Sequence, residues 1–343
     1  MSFLKNCWYV AAWDFEVPAS GFFARTVAGT PLLFWRDRAG TIIAFVDRCC
    51  HRGAPLSMGR REGDAIRCGY HGLKFDRDGV CVDIPGQERI PETARIQTIP
   101  TIERDRWIWV WMGEPSLADP DAIPDTHWLR HPEWRYKPDY MHYAVNYLMI
   151  ADNLLDFSHL PFLHGDTLGG SDDFARAPVK YAPLDNGVRV TRYVRGVEPP
   201  PYLAKVSSLS SRVDRWNIYD FVLPSVLLMD SGSAPEGTDL EKGERKGSFA
   251  FRGCQALTPE TENSTHYFFA HCHNFSIDDP AVTESIHQSI LKAFHEDKAM
   301  IEAQHRSLTL AGDFQPMAIQ ADAAVYRFRK VLQQKLAQEA MSP

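Results

Sequence analysis

The chain has 343 residues, 44% of them hydrophobic and 24% charged, which is enough for two domains and a large buried core. Its net charge of -7, with no stretch forming a basic stripe, argues against a nucleic-acid partner. Seven cysteines at irregular spacing exclude a disulfide framework, and no apolar run reaches membrane-spanning length.

The opening Met1-Ser2-Phe3-Leu4-Lys5 lacks the apolar core of a signal peptide, so the sequence predicts a protein of the reducing cytoplasm with no membrane partner. From Trp8 to about Trp111 the pattern is short strands broken by turn residues. Thr30 to Trp35 and Thr41 to Val46 flank the hairpin turn Asp37-Arg38-Ala39-Gly40, and Phe75 to Val80 forms a second turn. Arg106 to Trp111 alternates in period two, three Trp on one face and Ile108 and Val110 on the other, as a packed strand does. The expectation is a small all-β domain over residues 1–118.

Within it stands the most informative stretch: Cys49-Cys50-His51, sixteen intervening residues, then Cys68-Gly69-Tyr70-His71. Each half supplies a thiolate and an imidazole from a short loop beside a strand-like run, Ile42 to Val46 before the first and Leu73 to Phe75 after the second. Two such tips facing each other suit a [2Fe-2S] cluster in which one iron takes two Cys and the other two His. Structural zinc also uses two Cys and two His, but its modules usually pair like with like. The pattern resembles the Rieske motif, with Cys49, His51, Cys68 and His71 as ligands. Cys50 reads as a reduced bystander, and Cys7, Cys81, Cys254 and Cys272 as small buried hydrophobes.

Gly113 to Asp125, polar and Pro-bearing, reads as the linker. Beyond it His131 to Tyr147 alternates in aromatics. Strands are expected at Val188 to Tyr193, Trp216 to Leu223, Ser248 to Ala256 and His266 to His271. Helical period shows at Leu148 to Leu160, about Ala281 to Arg306, and Ala321 to about Glu339. Asp239 to Gly247, with interleaved charges, reads as a solvated loop. Residues 119–343 thus form an α+β domain.

Its first helix carries Asn153, Asp156, His159 and His164. Spacing by three puts the Asp156 carboxylate within reach of the His159 imidazole. Pro161 is expected to break the helix and let His164 swing back. Two imidazoles and one carboxylate on one face of an iron leave open positions for O2 and substrate. For the carboxylate, periodicity leaves Glu296, Asp297, Glu302 and Asp166 open, and at least three of these should be ordinary solvated acids.

The whole chain resembles the oxygenase components of Rieske non-haem iron aromatic oxygenases. It is most similar to the short members, the vanillate and dicamba O-demethylases and toluenesulfonate methyl-monooxygenases. Matching stretches include Cys50 to Leu56, Tyr70 to Leu73, Ile84 to Gln87, Asp152 to Asp156 and Leu257 to Thr261. The resemblance implies an antiparallel, helix-grip-like catalytic sheet flanked by helices, and Asp297 as the third ligand of a mononuclear Fe(II) with His159 and His164. It implies a head-to-tail homotrimer in which Asp156 bridges a neighbour's His71 to its own His159, with Asn153 near the iron. It also implies O2-dependent oxidation of a methyl or methoxy substituent on a small aromatic compound. Ring cis-dihydroxylation is the alternative; a non-catalytic Rieske electron carrier is disfavoured by the second metal constellation. No dinucleotide fingerprint follows a strand, so electrons must come from a separate NAD(P)H-dependent flavin or iron-sulfur reductase, with or without a ferredoxin. Pocket candidates are Tyr219, Phe221, Met229, Gln255 and Phe269. Gln255 stands where the dicamba enzyme has a His, which argues against dicamba as substrate. Arg192, Arg195, Arg212, Arg215 and Arg252 are candidates for holding a carboxylate or sulfonate.

Overall fold

The computed structural model describes residues 3–169, 172–206, 212–312 and 314–341, so Met1 and Ser2 of the N-terminal stretch lie outside it. The chain divides into two compact units, Met1–Ile123 with Thr258–Glu262, and Pro124–Leu257 with Asn263–Pro343. The first unit runs a few residues past the expected 118/119 boundary. Side-chain bonds to the linker backbone account for this: the Trp8 indole donates to the Asp119 carbonyl and Arg104 to that of Pro120, holding two 3-10 turns against the strands. It also takes in a segment far away in sequence, where the Thr258 hydroxyl donates to the Val10 carbonyl.

The first unit is all β. Its strands are β1 (Trp8–Trp13), β2 (Phe23–Val27), β3 (Thr30–Arg36), β4 (Ile42–Val46), β5 (Arg60–Arg61), β6 (Ala65–Arg67), β7 (Lys74–Asp76), β8 (Cys81–Asp83), β9 (Thr98–Ile99), β10 (Thr101–Arg104) and β11 (Trp107–Trp111). They form three antiparallel sheets, β1-β11-β10, β2-β3-β4-β9 and β5-β6-β7-β8. Both faces of β11 are buried, the indoles of Trp107 and Trp13 lying 5.4 Å apart, so the Trp-rich run is core on either side. Cys49 and Cys68 sit in a buried cluster with Trp35, Phe45, Ile66 and Phe75.

The second unit carries β12 (Asp139–Tyr143), α1 (Tyr147–Leu155), α2 (Leu160–Leu163), α3 (Asp172–Arg176), β13 (Val179–Leu184), β14 (Gly187–Val197), α4 (Pro201–Ala204), β15 (Val213–Val222), β16 (Val226–Pro235), β17 (Phe249–Thr261), β18 (Ser264–His273), α5 (Pro280–Ala311) and α6 (Ala323–Met341). One antiparallel sheet runs β12-β18-β17-β16-β15-β14-β13, as the α+β, helix-grip-like expectation requires. The sequence pattern missed two of these strands. β13 is half exposed and holds a Pro, and β16 ends in the small residues Ser231 to Ala234, so neither shows a strong period of two. Of His131 to Tyr147 only β12 is strand.

Helix α5 begins with Asp279 accepting from the Ala281 N–H and Pro280 in its first turn, a capped start. It buries Ile286, Ile290, Ala293, Phe294, Asp297 and Ile301, one stripe at helical spacing, and Phe294 packs on Phe269 of β18 at 4.8 Å. Phe328 of α6 meets Phe221 of β15 at 4.6 Å. The 239–247 stretch is a largely exposed loop anchored by buried Leu240. No helix among the described residues is long and apolar enough to cross a membrane.

Candidate metal centres

In the first unit two loops of the same design face each other. The Cys49 N–H donates to the Ala54 carbonyl at 2.8 Å and the Gly53 N–H returns to Cys49 at 2.9 Å; Cys68 to Leu73, 2.8 Å, and Gly72 to Cys68, 3.1 Å, repeat the pattern. Each loop closes on a glycine at positive φ, Gly53 at 69° and Gly72 at 77°, a conformation that a Cβ disfavours. The tips bring the His51 and His71 rings to 4.5 Å between centroids. Both imidazoles are exposed, whereas both thiols are buried. Burial, added to the neighbouring Cys68, pushes the Cys49 thiol up to about 11. Two adjacent buried sulfurs ionise only beside a compensating cation, and two imidazoles complete a Cys2His2 donor set, so these residues fit a Rieske cluster. Cys50 is exposed, and Cys7, Cys81, Cys254 and Cys272 are buried free thiols.

In the second unit the expected continuous helix over Leu148 to Leu160 does not form: α1 stops at Leu155. Asp156 is extended, at φ -125° and ψ 101°. Asp is weak inside a helix and strong at its start, and here its carboxylate caps the next turn, accepting from the Ser158 N–H at 2.8 Å and the Ser158 hydroxyl at 2.9 Å. The Asp156 carboxylate therefore does not touch His159. The contact is with the backbone instead, His159 Nδ1 lying 2.6 Å from the Asp156 carbonyl oxygen. Pro161 breaks nothing; it sits in the first turn of α2, where a missing N–H is harmless, and His164 caps that helix's end.

These turns deliver His159 and His164 to Asp297 on the buried stripe of α5, with one ligand atom from each of the three lying within 4.8 Å of the others. Asp297 Oδ1 is 3.0 Å from His164 Nε2 and 3.5 Å from His159 Nε2, and it accepts from the Asn153 amide at 3.0 Å. His164 Nδ1 faces Glu296 Oε2 at 2.8 Å. Each imidazole thus has Nδ1 against a pure acceptor, which holds a proton there and makes Nε2, turned toward the shared carboxylate, the nitrogen available to a metal. Burial works to raise the Asp297 carboxyl, but His159 and His164 outweigh it and hold it below the ordinary range. His164 moves up: burial opposes this, and Asp297 and Glu296 overcome it. Two imidazole nitrogens and an anion converging on one point fit a divalent cation, which would bind in place of the Nε2 protons.

Of the four carboxylates left open by the sequence, Asp297 joins the histidines. Glu302 accepts from the Ala144 N–H and Asp166 is exposed. Glu296 was expected to be a solvated acid and is not: it holds His164 and also accepts from the Thr167 hydroxyl at 2.9 Å. The signal for Asp297 was present in α5, as the one acid of the three on that helix falling in the apolar stripe Ile290, Ala293, Phe294, Ile301.

Beside these groups opens a cavity of about 660 Å³, its mouth included, walled by Leu154, Phe157, Leu160, Ile290 and Phe294 among others, with Arg215, Asn217, Ser231, Gln255 and His271 as polar members. Its largely apolar walls with a few polar members suit a small ring compound. Met229 and Gln255 line it as expected; Tyr219, Phe221 and Phe269 pack elsewhere in the core, Tyr219 against Phe157 at 4.5 Å. Burial pushes His271 down to about 4, so its ring is neutral at ordinary pH.

Comparison with known proteins agrees with both centres. Residues 7–100 match the Rieske [2Fe-2S] domain, and residues 143–338 match the vanillate O-demethylase oxygenase C-terminal domain. The chain is 45% identical to the toluene-4-sulfonate monooxygenase system iron-sulfur subunit of Comamonas testosteroni, over 98% of each chain. It is 36% identical to the dicamba O-demethylase oxygenase component of Stenotrophomonas maltophilia, over 97% of this chain and 98% of the other. The crystal structure of dicamba monooxygenase bound to 3,6-dichlorosalicylic acid superposes with a TM-score of 0.92 at 34% identity, covering 100% of both chains.

Proposed function

The chain belongs to the Rieske non-haem iron oxygenases, as an oxygenase component, and from that premise we propose that it oxidises a methyl or methoxy substituent, on oxygen, nitrogen or the ring itself, of a small aromatic compound. The observation that carries this is the largely apolar cavity opening beside His159, His164 and Asp297.

We assign Cys49, His51, Cys68 and His71 to the cluster and His159, His164 and Asp297 to a mononuclear Fe(II). When bound, the cluster supplies electrons and the mononuclear iron activates O2. The protein's own groups hold that centre in place: the Asp156 carbonyl and Glu296 fix the imidazole protons on Nδ1, and Asn153 positions Asp297 through its amide. Leu154, Phe157, Ile290 and Phe294 take the ring by burial and keep water from the reacting carbon. A hydroxylated O-methyl or N-methyl group is a hemiacetal or hemiaminal; breaking its C–O or C–N bond releases formaldehyde and leaves a hydroxyl or amine. A ring methyl stops at the benzylic alcohol.

Electrons come from a separate NAD(P)H-dependent flavin or iron-sulfur reductase, with or without a ferredoxin, because relatives are components of multicomponent systems. We place the protein in the cytoplasm, a reading supported by seven cysteines of which none forms a disulfide. We further propose a head-to-tail homotrimer in which the exposed imidazole edge of one subunit's cluster faces Asp156 of the next. The Asp156 carboxylate, half-buried and bonded only within its own turn among the described residues, keeps lone pairs for a neighbour's His71, while its carbonyl holds His159.

The test is turnover by the iron-loaded protein with an NAD(P)H-driven reductase and a panel of aryl methyl ethers, N-methyl anilides and methylarenes. Formaldehyde or a benzylic alcohol is expected. A cis-diol with the methyl group intact would replace this reading with ring dihydroxylation.

A further inference from the structure

We propose that the cavity beside His159, His164 and Asp297 selects its aromatic substrate by an anionic oxyacid group, a carboxylate or sulfonate, held by Arg215 with Asn217 as a second donor. This rests on the reading of that cavity as the place of methyl oxidation. Arg215 and Asn217 stand two apart on β15, so their side chains leave the same face of the sheet, and both line the cavity. They are 6% exposed each.

Arg215 is a buried cation with no anion beside it among the described residues. Its partners are the Gly169 carbonyl at 3.3 Å, the Phe174 ring at 5.2 Å and the neighbouring Tyr202 hydroxyl. Among the described residues no carboxylate forms an ion pair with it. Burial pulls its pKa below the usual value, yet a guanidinium stays protonated, so the charge remains and is costly until it is paired. Asn217 adds an independent sign, because its side-chain N–H2 is buried with no acceptor among the described residues. Unused donors facing one cavity call for an acceptor that arrives with the ligand.

The other arginine candidates are engaged differently. Arg252 pairs with Asp230 at 3.0 Å, Arg195 with Glu241 at 3.4 Å and Arg212 with Glu236 at 3.9 Å. Arg192 donates to the Phe157 carbonyl. A planar carboxylate or a tetrahedral sulfonate on the substrate ring would take the Arg215 fork and the Asn217 N–H together, and the apolar walls would take the ring.

The test is anaerobic calorimetry on the iron-loaded, cluster-containing protein with 4-methylbenzoate, 4-methylbenzenesulfonate and the neutral 4-methylbenzamide. At least one anion should bind roughly 10- to 100-fold more tightly than the amide, the effect of a charge-assisted contact. The stronger of the two anions names the substrate class. Arg215→Gln should abolish the preference, Arg215→Lys should retain part of it, and Asn217→Leu should weaken the anion several-fold. Equal binding of amide and anions by the unmodified protein, which needs no variant to fold, would overturn the proposal, as would a preference that survives in Arg215→Gln with the cluster spectrum intact. Binding is read without turnover. An anion preference with no oxidised methyl group would therefore leave this subsite standing and remove the assigned reaction; oxidation of neutral arenes without an anion preference would do the reverse.

Discussion

Glu296 Oε2 lies 2.8 Å from His164 Nδ1, and the next residue, Asp297, reaches the same ring from its other nitrogen at 3.0 Å. Adjacent acids on one helix point about 100° apart, so α5 grips a single imidazole from both sides. One carboxylate sets the proton on Nδ1; the other shares the metal position.

Glu296→Gln keeps an acceptor for Nδ1–H but removes the charge that makes His164 a better donor to metal. We expect mononuclear iron affinity to fall about 10- to 100-fold, with the visible spectrum of the cluster unchanged. Iron retained through dialysis as in the unmodified protein would remove Glu296 from this role.

Asp297→Ala takes away the carboxylate at which His159, His164 and Asn153 converge. Metal analysis should find the cluster iron and no mononuclear iron. Undiminished mononuclear iron would remove Asp297 from the ligand set.

Asp156→Asn preserves an oxygen to accept from the Ser158 N–H and leaves the backbone carbonyl on His159 untouched. Stability should change by less than about 1 kcal/mol and both metals should remain, while turnover nearly vanishes if this carboxylate is the proposed bridge between subunits. Normal activity would remove the bridge.

Gly232→Ala tests the sheet beneath the cavity. A Cβ there would lie 2.3 Å from Trp216 Cη2 and 2.4 Å from the Phe249 carbonyl oxygen, and the backbone oxygen has no flexible end to yield. Overpacking of this kind costs about 1 to 3 kcal/mol, measurable as a lower urea midpoint with iron content retained per folded molecule.

That Cys49, His51, Cys68 and His71 stand together was legible because the Cys and His of each pair come from one loop, where spacing in sequence is spacing in space. Asp297 was not selected by reading its neighbourhood for acids, although its place among Ile290, Phe294 and Ile301 marked it as the inward one. Asp156 shows the opposite failure. A helical period was extended through a residue whose chemistry ends helices, and a side-chain contact was expected where the backbone makes it. β13 escaped because it is a short, half-exposed edge strand carrying Pro183, and β16 because its run of small residues lacks alternation. The choice of Arg215 among five arginines depends on which of them lines the cavity and on which find partners elsewhere, Arg252 at Asp230 on the next strand, Arg195 at Glu241 in a loop and Arg192 at the Phe157 carbonyl, contacts that no local pattern carries.

The most direct test of the account is a single turnover. The iron-loaded protein is reduced chemically, given 18O2 and an aromatic methyl compound, and the product is weighed by mass spectrometry beside Asp297→Ala treated in the same way. The account predicts one 18O atom on the former methyl carbon, as alcohol or formaldehyde trapped before exchange, and no product from the variant. Two 18O atoms on adjacent ring carbons, or equal product from Asp297→Ala, would contradict it.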